Sequence, residues 1–350
     1  MSLDGAIVFH GVDIEVLLLL EQKTVTYTSI SSLDRSAWRV FELATVISYD
    51  SKLLYHHLAD HGVSVRFGEL HDIHQAAFLI DPLRRDRSLE ALVGGEIEGT
   101  AGYMAGMWQV YDWQCEAFDH TPTIAKIART LDFPLSYNLF AMERRGIKID
   151  KKLFANMSKE LGDSLTKLEQ EMYTMAGYDF NIASPAQLSE VLFTKLQLPT
   201  TGIKKGKTSY STGQKELDKL RGQHPIIELI EQTRELAKLK NTYVDTLPEQ
   251  TDENDRVHTT FNQDVAATGR LNSTNPNLQN IPVRSELGRK VREGFVPEGD
   301  NVFVSADYSQ FELRLDEVLS GDDDLINDFN GDVEIHTKTA SEVYKVPMDD

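Results

Sequence analysis

The hydrophobic positions follow two rhythms. Near the start, "AIVFHGVDIEVLLLL" (6–20) and "TVTYTSI" (24–30) are dense in β-branched and aliphatic residues, which predicts strands and a hairpin. "SKLLYHHLADHG" (51–62) predicts a helix stopped at Gly62. "VSVRFG" (63–68) reads as another short strand, and "IHQAAFLIDP" (73–82) as a helix stopped at Pro82. Strands interleaved with helices predict an α/β layer over residues 1–120.

From Thr121 to Leu247 the period becomes helical. Phe154, Met157, Leu161, Leu165, Leu168, Met172 and Met175 recur three or four apart, and Gly177 follows as a stop. A second long helix is predicted from Pro225, with Leu229, Leu236, Leu239, Tyr243 and Leu247 on one stripe, packed antiparallel to the first. Between them, Ser184–Gln187 ("SPAQ") has the form of a capping box with proline at the first helical position. It opens a helix carrying Leu188, Val191 and Leu192. The linking "TTGIKKGKTSYSTG" reads as a mobile loop rich in glycine, serine, threonine and lysine.

From Val257 the pattern is strand and loop, then helices. "TGRLNSTNPNLQNIPVR" (268–284) is too polar for a core, and its two X-Pro turns predict an ordered loop. Its Arg270, Asn277, Gln279, Asn280 and Arg284 are donors of the kind that suits minor-groove acceptors, which every base pair presents. Alone, the segment is better read as a polar surface loop. The apolar run Val302–Ala306 predicts a strand that ends on Asp307, a common place to hold a metal ion. Phe311, Leu315, Val318 and Leu319 predict a buried stripe on the helix that follows.

Composition narrows this picture. At 350 residues, 41% hydrophobic and 26% charged, the chain reads as an ordinary soluble protein of two or three domains. Its single cysteine, Cys115, excludes an internal disulfide and fits a reducing cytoplasm. The apolar stretch Val16–Leu20 is too short to span a bilayer, and no membrane partner is expected. A net charge of −19 lowers the expectation of nucleic-acid binding without removing it, because phosphates need only a local basic surface.

The polar loop, "DYSQFELR" (307–314) and "EIHTKTA" (334–340), taken in order, resemble the bacterial DNA polymerase I family, family A. The resemblance extends to "FNIASPAQLSEVLFTKLQLP" and "RELAKLKNTYVDTLP" and covers nearly the whole chain. It implies a multidomain α/β and α+β fold. Residues 1–120 would be an RNase H-like 3′–5′ exonuclease-type domain, 121–256 a helical connection and thumb, and 257–350 the first part of the palm. The implied partners are primer-template DNA and deoxynucleoside triphosphates, and the implied place is the bacterial cytoplasm, at the nucleoid. Asp307 would ligate two Mg²⁺ ions and the Tyr308 carbonyl would support one of them. Glu312 would exclude a 2′-hydroxyl from the incoming nucleotide, and His336 would approach its triphosphate, with Ser309 and Gln310 as further nucleotide-binding positions. Arg270 would contact the primer end, while Lys204, Lys205 and Lys207 would track phosphates. For each of these lysines a solvated loop position is nearly as good a reading.

Departures from the family temper these roles. Phe311 stands where isoleucine is usual, and Asp316 and Glu317 stand where apolar or small residues are expected. The fingers segment and the Val-His-Asp-Glu motif with the second metal-binding aspartate are not found; His71-Asp72 lies in the wrong context. The chain is therefore expected not to polymerise alone, and a complementary chain carrying the remaining palm and fingers is a possible partner. In the N-terminal region Asp50 matches one exonuclease carboxylate, Asp13-Ile14-Glu15 reads as a coincidental Asp-x-Glu, and the third motif is missing at Tyr103 and Tyr111. An inactive exonuclease fold is expected, and whether its first strand is included is left open. The alternatives are a non-catalytic DNA-binding chain and a metal-dependent 3′–5′ exonuclease.

Overall fold

The computed structural model describes residues 6–9, 15–20, 24–29, 45–331 and 333–347, the first three stretches by backbone alone. Two units divide the chain, Met1–Val296 and Pro297–Asp350.

The first unit begins with a five-stranded mixed sheet. Strands β1 (Ala6–Phe9), β2 (Glu15–Leu20) and β3 (Thr24–Ser29) form an antiparallel meander. Strands β4 (Thr45–Ser48) and β5 (Glu69–Asp72) extend it in parallel beyond β1. Helices α1 (Ser51–Asp60) and α2 (Ile73–Ile80) follow β4 and β5, and Asp50 and Asp72 cap their first turns. The hairpin and both helices agree with the sequence pattern. Asp13 lies outside the described residues, and Glu15 opens β2. "VSVRFG" is not a strand; Val65 and Phe67 are buried in an irregular connection, and the ladder forms one step later, at Glu69–Asp72. Alternation there comes from packing: Phe67 stacks on Tyr55 at 4.7 Å between ring centres.

Helices α3 (Leu89–Val93) and α4 (Gly99–His120) close one face of the sheet. Met104, Met107, Val110, Gln114 and Phe118 are the buried side of α4. A short α5 (Pro122–Ile127) runs through a π-helical turn into α6 (Phe133–Arg145). Strand β6 (Ile147–Lys148) then leads into α7 (Lys151–Ala176), which Asp150 caps through the amides of Lys152 and Leu153. Gly177, at φ 81°, ends it in the left-handed conformation that a side chain would strain. Beyond lie α8 (Pro185–Ser189), α9 (Gln214–Leu220), α10 (Ile226–Leu239) and α11 (Thr246–Glu249).

The antiparallel pairing of α7 and α10 follows from two cores. Met172 and Ala176, at the end of α7, pack with Ile226, Ile227 and Ile230 at the start of α10. Phe154, Met157 and Leu161, at the start of α7, pack with Leu239, Tyr243 and Leu247. Leu188, Val191 and Leu192 are fully buried in the first core. Met175, at the edge of the predicted stripe, is instead 37% exposed. Ser184 caps α8, but Gln187 does not reach back to it: its Oε1 accepts the Asn181 N–H at 2.7 Å, so the capping box is half made.

Strands β7 (Arg256–Val257), β8 (Thr260–Asn262) and β9 (Asn272–Thr274) follow, β7 beside β6 and β8 beside β9. Helix α12 (Glu286–Glu293) ends against the start of α7. Gly294 makes that approach possible: a Cβ there would lie 2.4 Å from the Phe154 ring.

The second unit holds α13 (Phe311–Ser320), α14 (Asp323–Asn330) and α15 (Ile335–Tyr344). Two expectations fail here. Residues 302–306 form no strand, and Val302, Phe303 and Val304 are 78%, 57% and 87% exposed. Phe311, Leu315, Val318 and Leu319 form no buried stripe and are all exposed. The cause is shared. An apolar run becomes a strand only beside a ladder partner, and a helix buries a stripe only under an opposing layer. Among the described residues of this unit, neither is supplied; its buried apolar side chains are Phe329 and Ile335.

Candidate nucleotide and DNA site

Asp307 and Tyr308 are exposed on the irregular run before α13. Gln310 turns the chain into the helix with φ 52° and ψ 39°, a left-handed residue where a helix must start sharply. Arg314 steadies the turn, its Nε donating to the Ser309 carbonyl at 3.1 Å and its guanidinium lying 4.5 Å over the Phe329 ring. Gln310 Nε2 donates to Glu334 Oε1, joining Asp307–Gln310 to the start of α15, which carries His336. Glu334 also accepts the Thr337 hydroxyl and amide, and these bonds hold its carboxyl below the usual range. The two segments are thus tied at Gln310 and Glu334, with His336 two residues further along α15 and Glu312 exposed on the first turn of α13. Among the described residues, no three histidine, cysteine or carboxylate side chains converge as a metal site. The Asp307 carboxylate and Tyr308 carbonyl are hard oxygen donors suited to Mg²⁺, but they fill only part of an octahedron.

The polar loop lies in the first unit and is well bonded. Gln279 Oε1 accepts the Ser273 N–H at 3.1 Å, and its Nε2 donates to Leu271 at 3.0 Å. Asn277 Oδ1 accepts the amides of Gln279 and Asn280. Both side chains hold the loop's own backbone. Arg270, Asn280 and Arg284 are exposed along it. Lys204, Lys205 and Lys207 sit on a small turn closed by Gly206 N to Ser209 O and Ser211 N to Lys204 O, both at 2.8 Å. The turn is anchored by buried Ile203 and by Tyr210 against Phe193, so the segment is tied down rather than loose. Lys205 lies 5.3 Å over the Tyr210 ring.

Two features escaped the sequence reading. Arg289, Lys290 and Arg292 stand exposed on α12, next to Arg284; the run "GRKVR" was the available signal. The other is a polar cleft of about 850 Å³ lined by Asp50, Asp72, His74, Glu143, His258 and Asp264, among others. Asp72 is buried at the cleft wall, accepting Ser51 N and Oγ and Gln75 N. Burial and then the neighbouring Asp50 push its carboxyl up to about 6. Glu143 behaves oppositely. Burial favours its neutral form, but bonds from His56, Lys52 and the Phe261 amide outweigh that and hold it below the usual range. Asp50, matched to an exonuclease carboxylate in the sequence, is the one lining position that a motif marks; the other residues come from distant parts of the chain.

Comparison with known proteins follows the same lines. The family model described as DNA polymerase family A matches residues 151–350. DNA polymerase I of Synechocystis sp. is 46% identical over 223 residues, 63% of this chain and 23% of that protein. DNA polymerase I of Geobacillus stearothermophilus is 38% identical over 342 residues, 90% of this chain and 39% of that protein. The chain therefore spans well under half the length of these relatives. Among solved structures, the POL domain of Pol1 from M. smegmatis, in complex with DNA primer-template and dNTP, superposes with a TM-score of 0.85 at 30% identity. That match covers 99% of this chain and 64% of the other.

Proposed function

The chain belongs to DNA polymerase family A, and from that membership we propose that it serves template-directed deoxynucleotide transfer to a primer 3′-hydroxyl. The observation that supports this most directly is the Gln310–Glu334 bond, which ties the segment at 307–314 to the one at 334–340. Asp307 and the Tyr308 carbonyl would hold Mg²⁺, which supplies charge neutralisation for the transferring phosphoryl group. Ser309, Gln310 and His336 would orient the triphosphate, and Glu312 would bar a 2′-hydroxyl beneath the sugar. Lys204, Lys205, Lys207, Arg270 and Arg284 would meet phosphates, Asn280 a base edge, while Asn277 and Gln279 shape the loop that presents them. Residues 1–120 are proposed to be an exonuclease-type domain without exonuclease activity. The setting would be the bacterial cytoplasm, and among the described residues no helix is long and apolar enough to cross a membrane.

The test is primer extension with Mg²⁺ by this chain, alone and mixed with a polypeptide carrying the remainder of a family relative. No extension is expected alone and extension is expected on mixing. In the mixed enzyme Asp307→Ala should abolish use of both deoxy- and ribonucleotides. Glu312→Ala should instead raise ribonucleotide use far more than it alters deoxynucleotide use, because a steric block is removed. Parallel loss of both substrates in the two variants would refute the separate roles.

A further inference from the structure

We propose that Glu143 is a positioning residue that fixes hairpin β8–β9, and through it the loop at 268–284, against the N-terminal layer. The functional consequence rests on the DNA-binding reading above; the positioning itself does not.

Glu143 sits in the last turn of α6, 7% exposed, and its oxygens take three donors. Oε1 accepts from Lys52 Nζ at 2.5 Å and from the Phe261 N–H at 2.6 Å, and Oε2 from His56 Nε2 at 2.7 Å. Lys52 Nζ donates again, to the Phe261 carbonyl at 2.6 Å. An acid and a base thus grip both polar groups of one residue on β8. In the hairpin, Phe261 lies opposite Ser273, whose own N–H is turned to Gln279. Phe261 is therefore at a non-hydrogen-bonded position, where N–H and C=O point away from the partner strand. Glu143 and Lys52 take the place of a neighbouring strand, which this edge lacks among the described residues.

Further bonds continue the seam. Gln263 Nε2 donates to the Asp132 carbonyl at 3.1 Å, Arg87 to Asp264 at 3.2 and 3.3 Å, and His258 Nδ1 lies 2.8 Å from the Glu143 carbonyl. From β8 the position passes to the loop by short steps. Thr259 Oγ1 lies 2.7 Å from buried Ser273 Oγ and donates to Pro276, while Leu278 N donates to Ser273 Oγ. Without Glu143, Lys52 and the Phe261 N–H both lose their carboxylate in a half-buried setting, where an unmet donor is costly.

The test is native-state hydrogen exchange on the full chain, read at Phe261, Ser273, Leu278 and Gln279, beside duplex affinity by fluorescence anisotropy. Glu143→Ala should speed exchange at these amides by about tenfold or more, leaving amides in α7 and α10 unchanged. It should weaken duplex binding by about tenfold with the salt slope unchanged, because no phosphate contact is removed. Glu143→Gln keeps an acceptor for Phe261 and should recover most of both effects. If Glu143→Ala does not fold, Lys52→Met takes its place with the same expectation. Unchanged loop exchange or equal acceleration throughout α7 and α10 would each overturn the positioning, and faster loop exchange with unaltered duplex affinity would overturn its functional consequence. If the wild-type chain binds no duplex, the polymerase reading fails, while the exchange measurements still decide the positioning.

Discussion

His71 and Asp72 are neighbours on β5, both buried, and their titrations oppose each other. Burial drives the His71 imidazole down to about 4; its Nε2 meets Gln114 Oε1 at 2.8 Å and its ring packs edge-on to Tyr111. Folding therefore removes a proton that the unfolded histidine would bind below 6.5. Its contribution is lost as pH falls from 6.5 towards 4. Asp72, raised to about 6, binds a proton more readily folded than unfolded, so its contribution grows over nearly the same fall in pH. The two should nearly offset, and the urea midpoint should change little between pH 6.5 and 4.5. Asp72→Asn removes one side of the balance. That variant should lose stability over the same interval, on the order of 3 kcal/mol in full. A variant whose midpoint stays as flat as the wild type would show that His71 is protonated at no such cost. Neither behaviour is legible from "LHDI"; it depends on which side chains enclose the pair.

At the scale of elements, the α7–α10 pair carries two cores, and the sequence pattern pointed to the antiparallel pair but not to Ile226, Ile227 and Ile230, which bury against the end of α7. Phe154 to Met172 and Leu229 to Leu247 recur at helical spacing because each stripe meets the other along its length. Leu188 sits at the centre of the distal core, fully buried. Leu188→Ala should cost about 2–5 kcal/mol. The loss should appear as faster exchange in α8 and the first turns of α10, with amides near Phe154 and Tyr243 unchanged. Equal loss at both ends would mean the two cores open as one. What the pattern could not reveal is instructive. Val302–Ala306 has a strand's composition and Phe311–Leu319 a helix's stripe, and only the helix forms. A helix satisfies its backbone within itself, whereas a strand depends on a neighbour that local composition does not specify. Glu143 was illegible for a similar reason. Its partners at 52, 56 and 261 are remote in sequence, and none belongs to a motif. Asp307, Glu312 and His336 stood out because their motifs are local.

At the scale of the whole molecule, a chain of net charge −19 is proposed to hold a polyanion. The conflict is resolved by distance. Arg284 ends the loop, Arg289, Lys290 and Arg292 are exposed on the α12 that follows it, and Lys204, Lys205 and Lys207 share one turn. Near physiological salt the Debye length is about 8 Å, so a bound phosphate senses those side chains and little of the remaining surface. At about 0.01 M it reaches about 30 Å, and the excess of acids across the protein is then felt by the duplex. Two effects therefore compete as salt is lowered. Counterion release strengthens binding, and repulsion by the whole molecule weakens it. A plot of log affinity against log salt should fall steeply between about 0.05 and 0.2 M and flatten below about 0.02 M. Replacing Lys204 by Glu should shift the steep region down uniformly across duplex sequences, since the contact is to phosphate. It should leave the position of the flattening nearly unchanged, because one residue alters the net charge by two. Anisotropy titrations from 0.01 to 0.2 M salt would decide it. A straight line through the whole range would show that the acidic bulk never acts on the DNA, and that binding is governed by the basic cluster alone.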